Sequence, residues 1–241
     1  MIQSSLLPVQ ITDIEPYNGN TARLKLVGYD ASGRKYAIKR VSDSENGAIP
    51  INEWFGYNIC RILGIATPVF DIVKISEEEC FGSLWEDNVT IFSTLNNNPV
   101  EILSAITESK DSINRIICQD CFTCNPDRHF GNLIFKQMNS KLTALAFDWS
   151  ESSGLTEVFI TTNNQHQNTN TINTKNIMLQ RFGLSNIYTS EIDRISQITH
   201  HDIKKIFDAA PKPWLTNIDI SGIIEFWKNK IQMHASRVKQ L

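Results

Sequence analysis

The most informative stretch of the sequence is Asp127-Arg128-His129-Phe130-Gly131-Asn132, which a second carboxylate follows at Asp148. Asp148 stands at the end of an apolar run that begins at Leu142. Phosphoryl transfer requires one carboxylate that accepts a proton, and an amide oxygen and a second carboxylate that hold magnesium ions. The spacing of Asp127, Asn132 and Asp148 supplies these groups, but it also arises by chance, so its meaning depends on the rest of the chain.

The composition excludes several classes of protein. The 241 residues are 41% hydrophobic and 20% charged, as in an ordinary globular chain that can bury a core. A net charge of −3 argues against duplex-DNA binding. The sequence shows neither an apolar run of about 18 residues nor a signal peptide. Five cysteines, an odd number, suit a reducing compartment. We expect a cytoplasmic protein with no nucleic-acid or membrane partner.

Three of the cysteines, Cys118, Cys121 and Cys124, have a spacing that resembles part of an iron–sulfur pattern. No fourth ligand with matching spacing follows them, and the first two lie in a predicted helix. We therefore expect small buried thiols rather than a cluster site.

The chain divides into two parts, which together predict an α+β protein with a bilobal, protein-kinase-like fold. Residues 1–95 indicate an N-lobe, a five-stranded antiparallel sheet with one helix inserted after the third strand. The predicted strands are 9–14, 21–29, 35–41, 68–75 and 89–95, and the helix is 51–63. Residues 96–241 indicate a mainly helical C-lobe. Its predicted helices are 100–107, 112–122, 190–198, 201–209 and 220–238, with a short strand at 133–136 and a second strand that ends at Asp148.

A polar tract interrupts the second part at residues 161–176, where nearly all side chains are amides or hydroxyls. Such a segment buries too little apolar area to offset its ordering entropy, so we expect a mobile loop. The tract follows Asp148, where kinases place the segment that faces the substrate. An insertion without function is the alternative.

The third predicted strand, Lys35-Tyr36-Ala37-Ile38-Lys39-Arg40-Val41, carries a lysine in an unusual setting. Period-2 alternation places Lys39 on one face with Ala37 and Val41, which is natural for a lysine in a nucleotide cleft. It is similar to the strand signature of kinases, whose lysine pairs with nucleotide phosphates and with a glutamate on the next helix. Glu53, near the start of the predicted helix, is the candidate partner. Taken singly, Lys39 also suits a surface strand and Glu53 a first helical turn.

The turn between the first two strands, Tyr17-Asn18-Gly19-Asn20-Thr21, lies where a phosphate-covering loop belongs. In that interpretation, backbone N–H groups of Gly19, Asn20 and Thr21 contact phosphate oxygens, and the Thr21 hydroxyl adds a donor. An ordinary β-turn is the alternative. The same position makes autophosphorylation of Thr21 a hypothesis.

Three stretches resemble the HipA-like serine/threonine kinase family, and especially its compact HipA-like kinase domain. They are residues 20–39, 52–68 and 125–148, and the tail at 206–215 is also similar. The resemblance implies an ATP- and magnesium-dependent kinase that phosphorylates Ser or Thr hydroxyls of a protein. It also implies that residues 89–95 supply a hinge whose backbone meets adenine.

The resemblance assigns a role to each candidate site residue. Asp127 would be the catalytic base, Asn132 and Asp148 the magnesium ligands, and Lys39 the group that holds the nucleotide phosphates. His129 would steady the catalytic loop or the γ-phosphate.

The chain departs from the kinase pattern in two places. Asp148 is followed by Trp149-Ser150 rather than Phe-Gly, which this family tolerates. The extra N-terminal subdomain of full-length HipA toxins is missing, which argues against an antitoxin partner.

Two other functions stay open at this point. The Asp127 stretch also resembles the catalytic loop of phosphoinositide-type lipid kinases. A lipid kinase needs basic residues facing an anionic membrane, and the segment after Asp148 offers only Lys175. A kinase-like binding module without catalysis is the other alternative, although every expected catalytic residue is present.

Overall fold

Eight strands and six α-helices make up the part of the chain that the computed structural model describes, residues 7–19, 24–91, 98–138, 140–152, 169–183 and 187–239. The strands are β1 (Val9–Pro16), β2 (Leu26–Asp30), β3 (Lys35–Lys39), β4 (Phe70–Ile75), β5 (Glu78–Leu84), β6 (Val89–Ile91), β7 (Leu133–Met138) and β8 (Lys141–Ala146). The helices are α1 (Ile49–Leu63), α2 (Pro99–Phe122), α3 (Asn170–Phe182), α4 (Ile187–Ser196), α5 (His200–Asp208) and α6 (Ile220–Lys239).

The first five strands form a closed barrel in the order β1-β2-β3-β5-β4. Neighbouring strands are antiparallel except for β1 and β4, where a parallel pairing of Val9 with Val73 closes the barrel. The prediction of an antiparallel sheet is therefore wrong in two respects: the strands close into a barrel, and β1 and β4 are parallel. The right-handed twist of the strands brings the two edges together, and closure leaves neither edge unpaired. The barrel interior holds a small apolar cluster of Ile11, Leu26, Tyr36, Ile38, Val73 and Cys80.

The turn between β2 and β3 follows the predicted hairpin signal at residues 30–33. Gly33 has φ 79°, a left-handed conformation that favours glycine. One Asp30 oxygen accepts hydrogen bonds from the backbone N–H groups of Ser32 at 2.9 Å and Arg34 at 3.0 Å. Burial alone would raise the pKa of Asp30, but the Ser32 and Arg34 donors lower it to about 2. The turn therefore holds an ionised carboxylate and fixes the start of β3.

One strand of the barrel was not predicted from the sequence. It is β5, which a tight turn at Ser76, with φ 52°, joins to β4. The alternation of apolar and polar residues in β5 is difficult to recognise from the sequence. Three charged residues in succession, Glu77, Glu78 and Glu79, resemble a solvated loop. The predicted strand at 89–95 is, in its described part, β6, which pairs with β7 in a second sheet of order β6-β7-β8.

Helix α1 is buried on nearly all sides, with thirteen of its fifteen residues buried. The predicted helix is confirmed, and Gly64 ends it in a left-handed conformation, φ 66°. The Trp54 ring contacts Phe70 of the barrel, with ring centroids 5.6 Å apart. The Phe55 ring stacks on Phe207 of α5 at 5.9 Å. A helix that is buried all round packs against neighbours on both sides, so α1 joins the barrel to the later helices.

The long helix α2 replaces two predicted helices. The sequence predicted helices at 100–107 and 112–122, but the structure contains one helix of 24 residues. Within it, the Ser112 hydroxyl donates to the Ser109 carbonyl at 2.8 Å and accepts from Ala144 N of β8 at 2.9 Å, so this polar residue bonds the helix to β8. Asn98 caps the helix start, where its side chain accepts from the N–H groups of Val100 and Glu101.

The expectation of a mobile loop at 161–176 is wrong for its second half, because residues 170–176 begin helix α3. Residues 161–168 lie outside the described part of the chain. Thr171 and Thr174 are 2% and 4% exposed, since their hydroxyls bond to backbone groups near Asp127. Tertiary hydrogen bonds therefore order a segment whose composition favours disorder.

The prediction of buried thiols is confirmed for Cys118 and Cys124, whereas Cys121 is only half-buried. All five cysteines are free. Burial raises the pKa of the Cys118 and Cys121 thiols. Within the described ranges no group of three or more His, Cys, Asp or Glu side chains is arranged to hold a metal ion. No helix of this part of the chain is long and apolar enough to cross a bilayer.

Candidate active site

Lys39 lies at the centre of the candidate site, at the end of β3. Its ammonium donates to Oε1 of Glu53 on α1, to Oδ1 of Asp148 at 2.7 Å and to Oγ of Ser150 at 2.7 Å. Lys39 is 7% exposed and Glu53 is 1% exposed. One ammonium group on the barrel therefore binds side chains of helix α1 and of the segment after β8. The predicted Lys39–Glu53 contact is present, and Asp148 joins it directly.

Ser150 is a member of this cluster that sequence reasoning missed. Its Oγ lies 2.8 Å from Glu53 Oε1 and 2.9 Å from Asp148 Oδ1, so its one hydroxyl proton is donated to one of these carboxylates. Asn52 Nδ2 donates to the Ser150 carbonyl at 3.2 Å, which attaches this residue to α1. The departure of Trp149-Ser150 from the Phe-Gly of the kinase pattern was the signal in the sequence that marked these positions.

The Lys39 ammonium stabilises both carboxylates of the cluster, which repel each other. Burial disfavours the charged form of Lys39, but the Asp148 and Glu53 carboxylates raise its pKa above the ordinary value. Burial raises the pKa of Glu53, and the Lys39 ammonium opposes part of that rise. Burial also acts to raise the pKa of Asp148, but Lys39 outweighs it and lowers that pKa. The site therefore contains a fixed ammonium and an ionised Asp148 at neutral pH.

Asp148 has a left-handed backbone, φ 66°, which Asp tolerates better than most residues. The following residue, Trp149, holds this turn in place. Its N–H donates to Glu53 Oε1 at 3.1 Å, and its indole N–H lies 3.1 Å from Asp120 Oδ1. The indole packs on Gly56 of α1, where an added Cβ would lie 2.3 Å from a ring carbon. Glycine at this position allows the close approach that fixes Asp148 beside Lys39.

Arg128 connects the loop at residues 125–132 to the Asp148 turn. It is fully buried, and its Nε and Nη2 donate to both oxygens of buried Asp120, at 2.7 Å and 3.1 Å. Its Nη1 donates to the Asn132 carbonyl at 2.7 Å and also to the Phe147 carbonyl. One nitrogen therefore holds Asn132 next to the residue that precedes Asp148. Sequence reasoning gave no role to Arg128 or Asp120, because charged residues are expected on the surface.

Asp127 and Asn132 lie at opposite ends of a short turn that includes a 3₁₀ helix, Phe130–Asn132. Asn132 Nδ2 donates to the Asp127 carbonyl at 3.0 Å. The Asp127 side chain is half-buried, and its Oδ1 accepts from Asn170 Nδ2 at 2.6 Å. His129 is exposed, and an added Cβ at Gly131 would lie 2.8 Å from its imidazole. The backbone and side chain of Asp127 are thus both held by amides.

The other predicted site positions are only partly described. Gly19 is exposed in the segment between β1 and β2, and Asn20 and Thr21 lie outside the described residues. Of the predicted hinge, Val89–Ile91 is strand β6 beside β7, and residues 92–95 lie outside the described ranges. The nucleotide-binding roles of these positions stay predictions.

The side-chain oxygen atoms of Asp148 and Asn132 are suitable ligands for a magnesium ion. Magnesium prefers oxygen ligands and takes one or two protein carboxylates together with phosphates and water. The Asp148 side chain is 26% exposed, so a cation can reach it. Asn132 uses its Nδ2 for the Asp127 carbonyl, which leaves its amide oxygen for a metal.

Comparison with known proteins identifies the fold. No protein-family model and no curated protein matches the chain. Among solved structures, the Helicobacter pylori proinflammatory kinase CtkA matches with a TM-score of 0.57 and 15% identity, over 97% of this chain and 98% of that one. HipA of Shewanella oneidensis MR-1, solved with HipB and operator DNA, matches with a TM-score of 0.55 and 14% identity, over 93% of this chain and 63% of that one. The chain therefore shares the kinase-like fold of these HipA-like structures.

Proposed function

We propose that this protein is an ATP- and magnesium-dependent kinase that phosphorylates Ser or Thr hydroxyls of a protein substrate. One observation carries the proposal: the Lys39 ammonium meets Glu53 and Asp148, although Asp148 lies 109 residues further along the chain. A buried ammonium beside an ionised carboxylate suits a phosphate chain and its metal ion. In this proposal residues 1–95 form the nucleotide-binding N-lobe and residues 96–241 the C-lobe.

Each residue of the cluster has a separate task. ATP supplies the γ-phosphoryl group, and magnesium neutralises the charge of its phosphates. Lys39 would hold phosphate oxygens, and Glu53 would keep the ammonium in place at the end of β3. Asp148 and Asn132 would hold the metal. All three N–H donors of Lys39 are in use, so its bond to Asp148 would be released when the ammonium binds a phosphate oxygen, while Glu53 would keep it at the end of β3.

Asp127 would orient the substrate hydroxyl and accept its proton. Its backbone is held by Asn132 and its side chain by Asn170, which limits the motion of the carboxylate. Proton acceptance by a positioned carboxylate contributes roughly 100- to 10,000-fold to a rate. Lys39 and the magnesium ion that Asn132 and Asp148 would hold would compensate the phosphate charge, and none of these three residues would take part in proton transfer.

Transfer of radiolabelled γ-phosphate from ATP to a mixture of cell proteins tests this assignment. Asp127→Asn should lower the transfer rate by about 100-fold or more and leave nucleotide affinity nearly unchanged, because Asn cannot accept the proton. Asp87→Asn, a change of the same kind at an exposed aspartate, is the control and should retain full activity. Equal transfer by wild type and Asp127→Asn would show that Asp127 is not the base.

The class of substrate requires a second comparison. Wild type and Asp127→Asn are each incubated with the protein mixture or with vesicles that contain phosphoinositides. Our proposal predicts phosphoserine or phosphothreonine peptides that appear only with wild type. Label that enters the vesicle lipid and leaves the proteins unlabelled would assign a lipid kinase. Nucleotide binding with no transfer to either would assign a binding module.

A further inference from the structure

The start of helix α3 is bonded directly to the loop that carries Asp127. Thr171 N donates to the Pro126 carbonyl at 3.2 Å, and Thr171 Oγ1 donates to the Asn125 carbonyl at 2.6 Å. The same hydroxyl accepts from Arg128 N at 2.9 Å, and Thr174 Oγ1 donates to the Arg128 carbonyl at 3.0 Å. These four bonds hold the backbone on both sides of Asp127.

Asn170 differs from these threonines, because its contact is with the Asp127 carboxylate itself. Asn170 is the first residue of α3, and Thr169 caps the helix by accepting from Ile172 N at 3.3 Å. Asn170 Nδ2 donates to Asp127 Oδ1 at 2.6 Å. An amide nitrogen can only donate and an ionised carboxylate can only accept, so this contact leaves Oδ2 for a different donor.

The contact contributes little to the stability of the fold. Asn170 is exposed, whereas Thr171 and Thr174 are buried and join α3 to the loop. A hydrogen bond with one partner in water contributes on the order of 1 kcal/mol or less to folding. The orientation of a reacting group has a larger effect, because a misplacement of about 1 Å can lower a rate roughly 100-fold.

We propose that Asn170 is a positioning residue for phosphoryl transfer. By holding Oδ1 of Asp127, it fixes the rotation of the carboxylate so that Oδ2 meets the substrate hydroxyl. The polar tract therefore contributes to the reaction from its helical half. This inference rests on the proposed kinase function, and Asn170 acts through Asp127 without contact to the nucleotide.

Steady-state kinetics of Asn170→Ala tests the inference, with Asn173→Ala as the matched control. Asn173 is the same residue type, is exposed and lies one turn later on the same helix. We expect kcat of Asn170→Ala to fall about tenfold to 100-fold while the KM for ATP changes less than about twofold. Asn173→Ala should retain wild-type kcat. Thermal unfolding should be the same in both variants and wild type.

Two more variants separate positioning from a general structural role. Asn170→Asp keeps the shape but brings a second carboxylate to Asp127, so its kcat should be at least as low as that of Asn170→Ala. Asn170→Gln keeps an amide donor and should recover part of kcat. In the Asp127→Asn background, Asn170→Ala should cause little further loss, because both residues act through one group.

The outcomes distinguish this inference from the function on which it rests. If wild type is active and Asn170→Ala equals Asn173→Ala in kcat, the positioning role is wrong and the kinase function stands. If kcat falls only together with nucleotide affinity and unfolding temperature, Asn170 is structural and the inference is also wrong. If wild type transfers no phosphate from ATP to any acceptor, the proposed function fails, and the inference fails with it.

Discussion

Replacing Lys39 with methionine removes the charge from the centre of the site and nearly keeps the length of the side chain. Glu53 then stays buried without a cation, although the N–H of Trp149 and the hydroxyl of Ser150 still donate to it. Removing one partner of a buried ion pair costs roughly 3–5 kcal/mol. We expect Lys39→Met to lose free energy of unfolding in this range at pH 7.

The loss should depend on pH, because Glu53 can avoid the buried charge by binding a proton. Its ordinary pKa is 4.5, and without Lys39 the folded-state pKa rises further above that value. A raised carboxyl pKa gives stability at low pH that is lost as pH rises through the folded-state pKa. Each pH unit changes the cost of protonation by about 1.4 kcal/mol. The loss relative to wild type should therefore shrink by about 1–2 kcal/mol between pH 7 and pH 5.5.

Urea denaturation followed by tryptophan fluorescence at both pH values measures this effect. Lys35→Met is the matched control, since Lys35 lies on the same strand but pairs with Glu15 at the surface, 3.3 Å away. The control should lose less than about 1 kcal/mol at either pH. Two results would show that Lys39 does not compensate a buried Glu53 charge. In the first, Lys39→Met loses no more free energy of unfolding than Lys35→Met. In the second, its loss is the same at pH 7 and pH 5.5.

Three other substitutions test separate parts of the structure. Gly56→Ala should lower the free energy of unfolding by about 2–3 kcal/mol in urea denaturation, because its Cβ would overlap the indole of Trp149; the same change in a Trp149→Ala background should cost much less. Asp30→Ala should lose about 1–2 kcal/mol above pH 4. Because the folded-state pKa of Asp30 is depressed to about 2, this loss should disappear as pH falls towards that value in acid titrations of stability. Arg128→Lys should lose about 3 kcal/mol by thermal or urea unfolding, since an ammonium cannot donate to both oxygens of Asp120 and to two carbonyls at once.

The central contacts of the site were predictable from local patterns. Alternation in β3 placed Lys39 among apolar neighbours, and the helical spacing of 51–63 placed Glu53 on the next element. The structure brings these two side chains together with Asp148. Local periodicity placed Lys39 and Glu53 on regular elements. Their contact with Asp148, which follows the end of β8, was expected only from the order of these residues along the chain.

The features that the sequence did not reveal depend on contacts between distant segments. The parallel pairing of β1 with β4 closes the barrel between residues 64 positions apart, and no local pattern encodes it. The buried pair of Arg128 and Asp120 contradicts the expectation that charged residues are exposed. Asn170 lies in a tract whose composition predicts a loop, and hydroxyl groups bonded to the Asp127 loop make it a helix instead.

A crystal structure of the protein with magnesium and a non-hydrolysable ATP analogue would show whether Lys39, Asp148 and Asn132 bind the nucleotide and its metal ion. We expect Lys39 Nζ within about 3 Å of phosphate oxygens, with magnesium on Asp148 and Asn132. A nucleotide bound elsewhere, with Lys39 still held by Asp148, would contradict our account of the site.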